Sequence, residues 1–199
     1  MAIGVWAARV GRPLTEQESD ALRQLLPESR RVRVDRLQKP EKRDEVLCAY
    51  TMLHLALRER YGWHKIPEMT VSTMGKPEFP AFPDVHFNIS HTGGAVLVGV
   101  ADSPVGVDIE RIRPVSLRAM LRIAGVESER AFFENWVRRE ARAKCTGNGV
   151  GTIMLKDAPM REGERFCLLE TFDGYAAGVA TRSNEEMEPV RKYFLDELL

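Results

Sequence analysis

Between His86 and Glu110 three apolar stretches are separated by two turn signals, Gly93-Gly94 and Asp102-Ser103-Pro104, a spacing that admits strands and little else. Strands are expected over residues 86–90, 95–101 and 105–110, with another candidate at 69–74, and a meander is the simplest way to pair them. The segment before them has a helical period. Val46, Leu47, Tyr50, Leu53, His54 and Leu57 recur at helix spacing between Pro40, suited to a first helical position, and Gly62. The same order returns downstream: Ser128 can cap a long helix to about Thr146, stopped by Gly147 and Gly149, and residues 165–172 and 175–181 flank the hairpin signal Asp173-Gly174. An alternating start at 2–10 and a helix opened by Thr15, with Glu18 completing a capping box, fill out the beginning. A long helix followed by paired strands, twice over, makes the fold class α+β. It reads as two similar halves, 1–105 and 106–199, although no residue-level repeat accompanies the recurrence.

Lys plus Arg number 29 and so do Asp plus Glu, so no global charge draws this chain to nucleic acid or an anionic membrane, and any anion site must be local. No apolar run approaches membrane-spanning length, and the short apolar start has no cationic region before it. Cys48, Cys145 and Cys167 are odd in number, widely spaced and without a CxxC pattern. The expectation is a cytoplasmic monomer with no nucleic-acid or membrane partner.

Four clusters carry chemistry. In Gly106-Val107-Asp108-Ile109-Glu110, strand alternation puts both carboxylates on one face and the aliphatic pair on the other. Two adjacent carboxylates repel unless a hard cation such as Mg²⁺ compensates them, or unless they are simply a solvated strand end. Trp136, Glu140 and Lys144 share a helix face, which suits an active site and equally an ordinary helical ion pair beside a core tryptophan. In 87–94, FNISHTGG, a strand ends in hydroxyls, an imidazole and paired glycines, as a phosphate-holding turn or a plain strand ending would. Ser90 and His91 make a poor hydrolase pair, because neighbours in an extended segment face opposite ways. Arg30, Arg31, Arg33, Arg36, Lys39, Lys42 and Arg43 form a basic run that either grips a polyanion or, balanced by Asp35, Glu41, Asp44 and Glu45, is a solvated face. Arg138, Arg139, Arg142 and Lys144 also allow a nucleic-acid-contacting helix, though no recognition motif accompanies them.

Taken in order, Gly75-Lys76-Pro77, FNISHTGG, GVDIE at 106–110 and WVRREARAKCTGNG at 136–149 resemble the Sfp-type 4′-phosphopantetheinyl transferases. The resemblance implies two α/β halves related by a pseudo-twofold axis. It implies transfer of the 4′-phosphopantetheine arm of coenzyme A to a serine of an acyl or peptidyl carrier protein, releasing adenosine 3′,5′-bisphosphate. It further implies Mg²⁺ bound by Asp108, Glu110 and Glu140, and coenzyme A contacts from Lys76, Ser90, His91, Lys144, Arg43 and the Arg30/Arg31 region. In that scheme Glu140 deprotonates the carrier serine and Lys144 stabilises the leaving phosphate, as a charge first. A chain retaining only coenzyme A or carrier binding is the alternative.

Some residues depart from the family pattern. Val137 and Arg139 replace the usual hydroxyl and Lys. Asp44 stands where a small hydroxyl residue often helps bind phosphate, and would repel it unless turned away. Residues 111–135, where the family docks its carrier, are shorter than usual and lack the Phe-x-x-x-Glu pattern, so a narrowed carrier choice is expected.

Overall fold

The computed structural model describes residues 2–73, 75–147 and 159–199. Met74, at the end of one expected strand, and Gly149, the second helix stop, lie outside the described residues. The elements run β1 (Gly4–Arg9), α1 (Glu16–Gln24), α2 (Glu28–Asp35), α3 (Pro40–Tyr61), β2 (Thr70–Val71), β3 (Pro77–Glu78), β4 (His86–Thr92), β5 (Ala95–Ala101), β6 (Val105–Arg111), α4 (Leu117–Ile123), α5 (Glu129–Thr146), β7 (Arg165–Leu168), β8 (Tyr175–Thr181), β9 (Arg191–Phe194) and α6 (Leu195–Leu198).

Local signals set the ends of the main helices. Thr15 and Glu18 cap α1 reciprocally, each side chain bonded to the other residue's backbone N–H. Pro40 opens α3, which closes at Gly62 with φ +70°, and Ser128 caps α5, which closes at Gly147 with φ +69°. The first part of the basic run, read from sequence without secondary structure, folds as α2, where Arg30 and Val34 one turn apart are both buried, and Lys42 and Arg43 fall on α3.

The meander does not hold. β4 and β5 form the expected hairpin, but β6 leaves their sheet because the other edge of β5 is already taken by β1, with Gly4 opposite Val100. One sheet has the order β4-β5-β1-β9 and another β6-β8-β7, and β2 and β3 pair as a short ribbon. Strand β9 joins the first sheet parallel to β1, so a late segment of the chain crosses back to it. In both sheets a first strand (β1 or β6) is followed by a long helix and a hairpin whose second strand (β5 or β8) returns antiparallel beside it.

The layers are helix, sheet, sheet, helix. Val96, Val98 and Val100 of β5 pack with Trp6 against Leu47, Leu53 and Leu57 of α3, whereas Leu97 and Ala101 on the opposite face pack against Val107, Ile109 and Val179 of the second sheet. β5 is therefore buried on both faces, which accounts for its unbroken apolar run. The outer face of the second sheet takes α5, with Phe133, Val137 and Ala176 in one cluster and Ala141, Cys145 and Ala180 in another. Small residues line this contact because α5 comes very close. A Cβ on Gly106 would overlap the Ala141 carbonyl and the Cys145 amide, so only glycine fits. Among the described residues no helix is long and apolar enough to cross a membrane, and all three cysteines are free.

Candidate active site

Strands β4 and β6 lie side by side at the seam of the two sheets, joined there by side chains. Asn88 Oδ1 accepts the Val107 N–H at 2.8 Å and Ser90 Oγ accepts the Ile109 N–H at 3.3 Å. This alignment carries Ser90 to Asp108, donating its hydroxyl to Oδ1 at 2.8 Å. From α5, held close by Gly106, Lys144 Nζ donates to the same Oδ1 at 2.6 Å and to Ser90 Oγ at 3.2 Å. Lys144 thus reaches across to β6 instead of closing the helical pair with Glu140.

Asp108 is 3% exposed, and its Oδ2 is buried without a hydrogen-bond partner. Burial raises its pKa above the usual carboxylate range, the Lys144 charge and bonds from Lys144 and Ser90 oppose the rise, and the Glu110 charge adds to it. Glu140 is also raised: burial is the main cause, Lys144 works against it, and Asp108 and Glu110 push it further up. Glu110 lies two residues along the strand, within reach of Thr92 Oγ1 at 3.5 Å and paired with Arg113 at 2.9 Å. The expected acidic trio is therefore electrostatically linked, but Lys144 and Arg113 hold two of its members. Among the described residues no group of three His, Cys, Asp or Glu side chains is gathered closely enough for a metal ion. The donor chemistry nonetheless suits a hard cation, since all three candidates are carboxylates and one carries a buried, unpartnered oxygen.

On the other face of β4 a cavity of ≈ 430 Å³ opens between α2, α3 and the 75–77 loop. Arg30, Arg33, Lys42 and His91 give it cationic and N–H donor groups, and Val46, Tyr50, Phe87 and Ile89 give it apolar surface. Arg30 is buried, with Nε unpartnered and Nη2 at 3.4 Å from the Thr70 carbonyl. Ser90 and His91 do face opposite ways, Ser90 to Asp108 and His91 to α3, where Nδ1 meets Glu45 at 3.2 Å.

The structure sorts the remaining candidates. Arg31 and Arg43 do not line this cavity, although each has a buried, unpartnered Nε, and Arg43 reaches the Leu37 carbonyl at 3.4 Å. Lys76 lies in a neighbouring cavity and donates to the Val105 and Cys145 carbonyls at 3.0 and 3.5 Å, tying β6 to the end of α5; burial lowers its pKa. Asp44 points away, accepting the Leu14 N–H at 3.0 Å, which removes the repulsion expected of it. Arg139 and Arg142 are buried, the latter on Glu164 at 2.6 Å, so a four-cation nucleic-acid face on α5 does not form. Sequence reasoning missed the role of Gly106 and had Arg33 and Lys42 only as members of the basic run that grips a polyanion or is a solvated face. The glycine stood in a quoted motif, and Arg33 would have emerged beside Arg30 had 28–35 been read as a helix, whereas Lys42 lies on α3.

No family model matches the chain. Curated relatives do. A 4′-phosphopantetheinyl transferase of Bacillus subtilis is 24% identical over 222 residues, spanning 98% of this chain and 99% of the relative. The 4′-phosphopantetheinyl transferase Sfp of Bacillus subtilis (strain 168) is 27% identical over 160 residues, 73% of this chain and 71% of that protein. The 4′-phosphopantetheinyl transferase psf-1 of Bacillus pumilus is 31% identical over 151 residues, 63% of this chain and 65% of that protein. The agreement runs across nearly the full length, and the motif residues Ser90, Asp108 and Lys144 meet at one seam, so the chain is similar throughout to proteins named 4′-phosphopantetheinyl transferase.

Proposed function

We propose that the chain transfers the 4′-phosphopantetheine arm of coenzyme A to a serine of an acyl or peptidyl carrier protein, releasing adenosine 3′,5′-bisphosphate. The observation that carries this reading is the junction of Asp108, Ser90 and Lys144 on one face of β4, with the cavity bearing Arg30, Arg33, Lys42 and His91 on the other. Coenzyme A has a matching division, a 3′-phosphorylated adenosine and a pyrophosphate. The matching strand orders of the two sheets support reading the halves as related by a pseudo-twofold axis, with coenzyme A between them.

In this mechanism the cavity cations and His91 bind the nucleotide and hold the pyrophosphate near Lys144. Lys144, released from Asp108, stabilises negative charge on the departing phosphate. Glu140, with its raised pKa, accepts the proton of the carrier serine as the serine oxygen bonds to the β-phosphorus and the bond from that phosphorus to the bridging oxygen breaks. Asp108, Glu110 and Glu140 would hold Mg²⁺, whose charge would offset that of the pyrophosphate. The carrier would dock on α4, where Leu117 and Leu121 are exposed beside Arg118 and Arg122, a surface suited to an acidic partner. The short 111–135 segment limits that surface and favours a narrow set of carriers.

A second reading, a homologue that binds coenzyme A or a carrier without turnover, draws on the engagement of Asp108 by Lys144 and of Glu110 by Arg113. Mass spectrometry of fatty-acid, polyketide and peptide apo-carriers incubated with the chain, coenzyme A and Mg²⁺ separates the two. The transferase reading expects the phosphopantetheine mass on one carrier class well ahead of the others. Equal modification of all classes contradicts the narrowed choice, and modification of none favours the binding homologue.

A further inference from the structure

A buried carboxylate beside a cationic cavity is an odd choice for an anion site, because its charge repels the ligand the cations attract. Glu45 on α3 is such a group. Its side chain is 9% exposed, and it takes Lys42 Nζ at 2.8 Å, His91 Nδ1 at 3.2 Å and the Gly94 N–H at 3.3 Å. Burial alone would push its pKa up, but His91, Lys42 and Gly94 outweigh that and hold it at about 2. Glu45 is thus an anion that touches two groups lining the cavity, Lys42 and His91, without itself lining it.

The geometry points to Glu45 as the positioning residue of the phosphate subsite, fixing His91 with Nδ1–H on the carboxylate and Nε2 left to bond a nucleotide phosphate. This rests on the reading that the cavity takes the nucleotide of coenzyme A. With a carboxylate as its partner among the described residues, Nδ1 carries the ring proton there. Nε2 donates to an anion when it too carries a proton, and the Nδ1 contact fixes the ring's orientation for that bond. Glu45 would hold Lys42 at the rim in the same way, so its contribution to anion binding is indirect and positive despite its sign.

The sign makes the inference testable. If Glu45 acted only as a nearby negative charge, its removal would strengthen anion binding; as a positioning residue, its removal weakens it. Isothermal titration with adenosine 3′,5′-bisphosphate, which needs no turnover, would compare the parent with Glu45→Gln, Glu45→Leu and the exposed control Glu41→Gln. Glu45→Leu is expected to bind about tenfold more weakly, the scale of one charge-assisted bond. Glu45→Gln, nearly isosteric and therefore foldable, is expected to bind severalfold more weakly, because an amide oxygen still accepts Nδ1–H but as a weaker, uncharged acceptor than the carboxylate. In a His91→Gln background, Glu45→Gln should cause a much smaller further loss. With coenzyme A and a carrier, the Glu45 loss should appear in KM with kcat nearly unchanged. Parental or tighter binding by Glu45→Gln, or an equal loss with and without His91, overturns the inference while leaving the transferase reading intact. If the parent itself does not bind the bisphosphate, the cavity assignment falls and the inference with it.

Discussion

Asp108→Asn is expected to abolish transfer and yet to raise the melting temperature at neutral pH. The activity loss follows from removing the carboxylate on which Ser90 and Lys144 converge and should reach at least about a hundredfold in kcat, the usual scale for deleting a preorganised charge-stabilising group. The stability gain follows from the direction of the pKa shift. The Asp108 carboxyl is raised in the folded chain, so its ionised form is less favourable folded than unfolded, and burial outweighs the Lys144 bond. Stability attached to a raised carboxyl is greatest below its unfolded pKa and is lost as pH rises through the folded value. Asparagine has no ionised form to disfavour. At pH 7 the variant should therefore melt higher, by about 2–4 °C per kcal/mol for a chain of this size. The advantage should disappear as the pH is lowered towards the ordinary carboxylate range. Thermal melts of parent and variant across that range check it, and a variant that melts lower at pH 7 would show that the Lys144 bond outweighs burial.

Gly106→Ala is expected to damage fold and activity together. Its Cβ would meet backbone atoms of α5, at Ala141 and Cys145, which cannot rotate aside as a flexible side chain would. Overpacking of this kind costs on the order of 1–3 kcal/mol, and backbone contact places this case at the upper end. Any relief must move α5 away from β6, and α5 carries both Glu140 and Lys144. Denaturant melts should show lowered stability, and the residual folded enzyme should lose kcat more than coenzyme A affinity, since the cavity proposed for the nucleotide is lined mainly from α2, α3 and β4. Parental kcat in a folded Gly106→Ala variant would contradict the view that close helix–strand contact builds the site.

These variants also mark where the sequence was readable. The faces of GVDIE were legible, because a strand period of two leaves one assignment once Val107 and Ile109 need a core, and both are buried between the sheets. The caps at Thr15 and Ser128 and the stops at Gly62 and Gly147 were legible because each follows from local backbone chemistry. Sheet membership was not. That β6 leaves β5 depends on β1, some hundred residues away, occupying the edge first, and nothing local to β6 records it. α2 was missed because Arg30 is buried there, which no rule based on apolar spacing would assume. Glu45 counted in the sequence as a balancing acid of a basic run, and its place under His91 depends on a contact 46 residues apart in the chain. The acidic trio was found by type and motif, while its engagement by Lys144 and Arg113 needed the assembled seam.

The central claim is that the seam of β4, β6 and α5 performs phosphopantetheine transfer. Its most direct test is the intact mass of an apo-carrier after incubation with coenzyme A, Mg²⁺ and either the parent chain or Glu140→Ala, with adenosine 3′,5′-bisphosphate measured in the same tube. The account predicts that the parent adds one phosphopantetheine to the carrier serine and releases one bisphosphate for each, and that Glu140→Ala does neither while still binding the bisphosphate. Modification that persists at a parental rate in Glu140→Ala would contradict it.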